Sequence, residues 1–349
     1  MRFRTLITLL VFAVLGYVVW RHLGDLQTLE RTLRQGRPLW ILAAFVLQGL
    51  ALLNVAALYH ALYRLLRLPI TFKRMLSLSL AAEFVNFTTV GGAAGAGVLL
   101  KDAAARGLDS SRVVLANVLF TLFNLVWFSL LLVAGLVVLF VRRELALYEL
   151  ASAAVLLGGT LLLLGGVVLA GAKPGWLERI ARFAARLVNG VGGLTVKRPL
   201  LEPNDLTSWT GELSSAAAAL RRERARLLPS LLFTLFSDGL SIVVLYACLR
   251  AFLPAGAPLG LGVLVAGYGI GVLFTAVAVT PQGVGVVEGA MGATLVSLGL
   301  PVAEVTLGVL SYRGLSFWLP LLVGGLAVRF ALEDDAPPKE KAQERESLS

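Results

Sequence analysis

The chain has 349 residues, 58% of them hydrophobic and 15% charged, with a formal net charge of +10. Several apolar runs reach the roughly 20 residues that a helix needs to span a bilayer, which excludes a soluble globular enzyme and assigns the positive charge to loops facing anionic lipid rather than to nucleic acid. One cysteine, Cys248, and two histidines, His22 and His60, exclude an intrachain disulfide and a cysteine-cluster metal site, and argue against histidine-based acid–base chemistry.

The N-terminus places Arg2 and Arg4 before the apolar run Thr5–Trp20. No small-residue cleavage site follows, so this run reads as a retained first span rather than a signal peptide. Five further spans follow at about Pro38–Ala61, Arg112–Val141, Leu145–Ala172, Leu227–Leu253 and Pro301–Phe330. Between them lie two apolar segments broken by Gly or Pro, about Met75–Leu100 and Ala257–Leu298. The expected fold is all-α: a polytopic integral membrane protein of about six spanning helices plus two re-entrant or broken helical hairpins. It forms one transmembrane domain over residues 1–332, with repeat one at about 75–172 and repeat two at about 227–330. Between the repeats, 173–226 reads as a cytoplasmic amphipathic segment: Trp176, Ile180, Phe183 and Leu187 share one helical face and Arg179, Arg182 and Arg186 point elsewhere. The charged tail 333–349 reads as disordered.

The two broken segments resemble each other. Asn86–Gly97 reads NFTTVGGAAGAG and Ala278–Gly289 reads AVTPQGVGVVEG, so that Thr88 matches Thr280, Gly91 matches Gly283 and Ala93 faces Gly285. Paired broken helices in corresponding halves point to a transporter's binding site. Gly91-xxx-Gly95 also has the spacing of close helix packing, and the two readings are compatible.

Charge sets the topology. The patches at Arg2 and Arg4, at Arg64, Arg67, Lys73 and Arg74, and along Lys173–Arg226 all belong in the cytoplasm by the positive-inside rule. That holds only if Met75–Leu100 enters and returns to one side. Legs of about 13 residues reach about 20 Å at 1.5 Å per residue, short of a roughly 30 Å core. Ala257–Leu298 then starts and ends outside, which makes the repeat inverted and leaves both termini cytoplasmic. Arg142 and Arg143 fall outside, against the rule.

Ionisable groups within spans are functional hypotheses by default. Arg313 is the first choice: its guanidinium keeps its charge and binds phosphate in bidentate fashion. A structural ion pair from Arg313 to Glu288 or Asp238 is the competing reading. Glu83 and Glu288 are candidate proton carriers, or else hydrogen-bonded structural carboxylates. Pro281, Gln282, Gly283 and Gly285 suggest a half-helix starting near Gly283 whose free N–H groups would favour an anion. With Glu288, the residues Lys101, Asn86, Asp238 and Tyr312 complete the candidate substrate-binding set. Asn117, Asn124 and Gln48 either line a polar path or form helix–helix hydrogen bonds. The chain has no phosphate-binding G-xxxx-GK-[ST] loop and no zinc-protease H-E-xx-H. No catalytic, metal or cofactor site is expected.

Thr280–Glu288 (TPQGVGVVE), followed by Leu298-Gly-Leu-Pro301 and Ser311–Pro320 (SYRGLSFWLP), resembles the flippase-like transmembrane domain of lysylphosphatidylglycerol synthases and their stand-alone relatives. Members show T-P-G-G-x-G-x-x-E and then Y-R. Here Gln282 replaces a glycine, Lys101 stands where arginine is usual, and Asn124 where an acidic residue is common. The resemblance covers about residues 5–330 and implies lipid translocation between leaflets. The synthases add a soluble aminoacyl-transfer domain, and few residues follow Phe330, so aminoacylation is not expected. What it implies is a transporter of an anionic or phosphate-containing lipid, a phospholipid or a polyprenyl-phosphate-linked one, in the cytoplasmic (inner) membrane. An accessory protein that presents lipid to a separate lipid-modifying or glycosyl-transferring enzyme is the alternative. Expected partners are the lipid substrate, an anionic lipid surface, and such an enzyme or a second copy of the chain.

Overall fold

A computed structural model describes residues 34–88, 94–143, 227–277 and 281–333, with a few positions between 150 and 165. The expected span Thr5–Trp20, most of the span at 145–172, the amphipathic segment, Gly91 and the tail beyond 333 lie outside the described residues.

Among the described residues every regular element is helical: α1 (Pro38–Leu65), α2 (Phe72–Thr88), α3 (Ala96–Ala105), α4 (Ser110–Arg142), α5 (Leu228–Phe252), α6 (Leu261–Val277), α7 (Val286–Ser297), α8 (Val302–Arg313) and α9 (Leu319–Glu333). Local sequence sets several boundaries. Pro38 sits in the first turn of α1, where its missing N–H costs nothing. Asp109 caps α4 by accepting from the amides of Ser111 and Arg112. Residues 314–318 form a single π turn that joins α8 to α9.

Among the described residues four stretches are long and apolar enough to cross a membrane: α1, α4, α5 and Val302–Val328. They carry exposed large apolar side chains, such as Leu39, Leu42 and Phe45 on α1 and Phe140 and Val141 on α4. An apolar surface of that extent requires lipid around it. The chain is a multi-pass membrane protein.

Helix pairing follows a regular pattern. α1 and α5 run antiparallel: the Arg37 amide donates to Ala251 O and Asn54 Nδ2 to Phe233 O, at 3.0 and 2.7 Å. α2 and α9 run antiparallel, with Ser77 Oγ facing Ala327 O and Phe87 meeting Phe317. α4 and α6 do the same, Gly135 lying against Ala266 and Gly262 against Val138. Among the described residues two apolar cores result. One gathers α5, α6, α7, α8 and the second half of α4 around Leu245, Leu249 and Met291. The other gathers α1, α2, α3, α9 and the start of α4 around Tyr63, Leu78 and Leu99.

α2 and α3 form a hairpin whose ends return to one side. Arg74 on α2 reaches Asp102 on α3 at 2.7 Å, while Arg106 and Arg112 donate to the carbonyls of Pro69 and Leu66. The described legs run 17 and 10 residues, where legs of about 13 are expected from the sequence. At about 1.5 Å per residue the longer leg is about 25 Å. α6 and α7 form the second hairpin: Gly267 packs on Leu295 and Gly271 on Met291. The turn at 281–283 packs against the first hairpin's α2.

Candidate functional site

The site grows from the break between α6 and α7. Pro281–Gly283 makes one tight helical turn, and Gln282, Gly283 and Gly285 all have positive φ, at 51°, 67° and 86°. Glycine adopts that backbone without penalty at two of the three positions, and Gln282 adopts it at a cost. α7 starts at Val286 rather than near Gly283, because this left-handed run cannot continue into a helix. The Gly285 amide donates to Glu288 Oε2 at 2.6 Å, the backward half of a capping box. The helix start expected to offer free amides to an anion is therefore partly satisfied by the chain's own carboxylate.

Arg313, in the last turn of α8, closes the arrangement. Its Nε donates to Glu288 Oε1 at 2.9 Å and its Nη2 to the Gln282 carbonyl at 2.8 Å. The guanidinium also lies over the Phe317 ring, 5.7 Å from its centroid. Side-chain exposures of 12% for Arg313 and 20% for Glu288 mean that both charges are sheltered but not sealed. One guanidinium thus ties together the broken turn, the first turn of α7 and the π turn. Of the two acids considered as partners of Arg313, Glu288 makes the pair.

Asp238 is engaged elsewhere. Its Oδ1 accepts from Tyr268 Oη at 2.6 Å, and its Oδ2 is buried with no partner. Tyr312 is buried in the same core as Tyr268. Asn86 stays within the first hairpin, its Oδ1 accepting from the Gly95 amide at 2.7 Å. Glu83 is partly buried on α2. Lys101 is exposed next to Asp102. Asp102 pairs with Arg74 at the base of that hairpin, so Lys101 lies away from the tip where Asn86 sits and is not brought to Arg313. Asn117 and Asn124 each donate to a carbonyl of their own helix, those of Val113 and Phe120, and Gln48 is buried. The side chain of Pro281 lies outside the described residues.

Sequence reading missed three features. The Arg74–Asp102 pair had a signal, a single acid amid Lys73, Arg74, Lys101 and Arg106. The Asn86–Gly95 tie and the π turn had none, since each depends on how the chain folds back.

A family model described as "Lysylphosphatidylglycerol synthase TM region" matches residues 5–324. Comparison with curated proteins gives no match.

Proposed function

Because the chain belongs to the lysylphosphatidylglycerol synthase transmembrane-region family, with the lipid-related membrane role that this implies, we propose that it is a transporter, not an enzyme, and moves a phosphate-bearing lipid between leaflets. The observation that carries the reading is Arg313. It lies eleven residues into the Val302–Val328 stretch, about 17 Å along the helix, near the middle of a roughly 30 Å core. A permanent cation at that depth is costly and needs an anion. Here Glu288 supplies it in the absence of substrate. A lipid phosphate can accept two parallel N–H bonds from a guanidinium, where Glu288 accepts one, and would displace the carboxylate, leaving Glu288 free to take a proton.

The pairing pattern supports an inverted repeat. α1 pairs antiparallel with α5, and α2 against α9 is mirrored by α6 against α4. Each hairpin starts and ends on one side, as re-entrant elements do. Irregular backbone at membrane depth persists only inside protein or beside a wet cavity, which suits the 281–285 turn packed against α2. In this reading the Arg74–Asp102 end is cytoplasmic, as are both termini, and the membrane is the cell's inner one.

The test is reconstitution in liposomes with head-group-labelled lipids, reading inner-leaflet accessibility to an impermeant quencher. Wild type is expected to accelerate translocation and Arg313→Ala to return it to the protein-free rate. Near wild-type rates for Arg313→Ala would remove the assignment. No acceleration by wild type with anionic, zwitterionic or polyprenyl-phosphate lipids would favour an accessory role.

A further inference from the structure

The bases of the two hairpins treat arginine differently. At the first base, Arg74 and Arg106 share one buried carboxylate, lying 2.7 and 3.8 Å from Asp102. The chain neutralises its own charge there. At the second base a pocket of about 450 Å³ opens between the C-terminal ends of α4 and α5 and the start of α6. Arg142 and Arg250 line it, with Val138, Leu259, Gly262 and Val263 among its walls. Among the described residues no carboxylate lines it.

Arg250 is held in place before any ligand arrives. Its Nε donates to Tyr246 Oη and its Nη1 to Ala257 O, both at 3.3 Å. Its guanidinium lies 5.4 Å from the centroid of the Tyr246 ring. Trp40 in turn packs edge-on against Tyr246 at 5.6 Å. Ordering the guanidinium in advance lowers the entropic cost of binding. Cations near helix C-termini are favoured by the helix dipole, but exposed side chains satisfy that without a pocket. In the topology proposed above this is the non-cytoplasmic end, where the positive-inside rule disfavours arginine.

We infer that this pocket binds the phosphate of a lipid head group, between Arg142 and Arg250, with the glycerol and upper acyl region against Val138, Leu259, Gly262 and Val263. The inference rests on the reading that the cargo carries a phosphate. It adds a station at which that lipid is received or released, distinct from Arg313. The apolar walls select a lipid over free phosphate, because only a lipid covers them and removes them from water.

The test is calorimetric titration of the detergent-solubilised full chain with a short-chain phosphatidylglycerol, a short-chain diacylglycerol and inorganic phosphate. Arg142→Gln is compared with Arg143→Gln, the same charge change on an exposed neighbour that does not line the pocket. The expected result is binding of the phospholipid, weakened about tenfold by Arg142→Gln and unchanged by Arg143→Gln, with no binding of diacylglycerol. Equal weakening by both variants would overturn the inference in favour of diffuse charge. Inorganic phosphate binding as tightly as the phospholipid would overturn it in favour of a soluble-anion site. Because the readout is binding, the outcome separates from transport. Arg142-dependent binding without translocation sinks only the transport reading, and translocation with Arg142-independent binding sinks only this one.

Discussion

At the scale of single residues, Arg313 and Glu288 form one unit, so losing either leaves the other without its charged partner. Removing one partner of a sheltered pair costs on the order of 3 kcal/mol, whereas removing both costs much less. Glu288→Gln and Arg313→Gln are therefore each expected to lower thermal stability in detergent, and the double variant to recover most of the loss; a melting comparison of the four proteins reads this directly. Asp109 offers a pH test outside the spans. Burial pushes its carboxyl up, but hydrogen bonds from Ser111 and the Arg112 and Ser111 amides, together with the Arg112 guanidinium, outweigh this and hold it below the usual carboxylate range. A depressed folded value means that the cap stabilises above the unfolded carboxyl value of about 3.9 and loses its effect as pH falls through the lower folded one. Asp109→Ala should cost about 1 kcal/mol at neutral pH, and melting curves of the two proteins should converge as pH falls below the usual carboxylate range. Residue identity made Arg313, Glu288 and Asp238 visible in the sequence, since charge in an apolar run is self-announcing. Which acid pairs with Arg313 was not visible, because that depends on the positive φ angles at Gln282, Gly283 and Gly285.

At the scale of elements, close helix approach divides the glycines into two kinds. A Cβ on Gly324 would lie 2.5 Å from Leu80 O and 3.0 Å from Phe84 Cβ, while one on Gly49 meets nothing within 4 Å. The first contact involves backbone and has nowhere to go. Gly324→Ala is expected to destabilise the α2–α9 pair by about 1–3 kcal/mol, and Gly49→Ala to be neutral or stabilising by up to about 1 kcal/mol. Thermal unfolding of both variants tests the division, and equal melting temperatures would contradict it. Among the described residues the long spans were legible to within about four residues, from Pro38 and from unbroken apolar length. The unequal hairpin legs were not, because Gly-rich text from 91 to 97 gives no periodicity from which to place a helix start.

At the scale of the whole molecule, the proposed topology sets an inside–outside order that can be read chemically. With Cys248 replaced by serine, single cysteines at Gly107 and Gly256 should be labelled by an impermeant maleimide from opposite faces of sealed vesicles. Labelling of both from the same face would break the proposed topology. Composition alone was enough for the class of protein, and the positive-inside count led to the hairpin arrangement. The stacking of α2 on α9 and α4 on α6 lay beyond sequence reading, since each pair joins segments far apart in the chain.

The π turn at 314–318 has a consequence for helical phase. It carries one residue more than an α-helical turn would, and so absorbs that residue while α8, packed on α5 and α7, and α9, packed on α2, keep one angular setting. Loss of one residue inside the turn would restore a continuous helix with both faces still aimed at their present neighbours. Loss of one residue anywhere else in the stretch would rotate one half by about 100° against the other. Residues 314–318 are thus the point at which this helix can absorb a change in length, and they lie directly beside its one mid-membrane arginine.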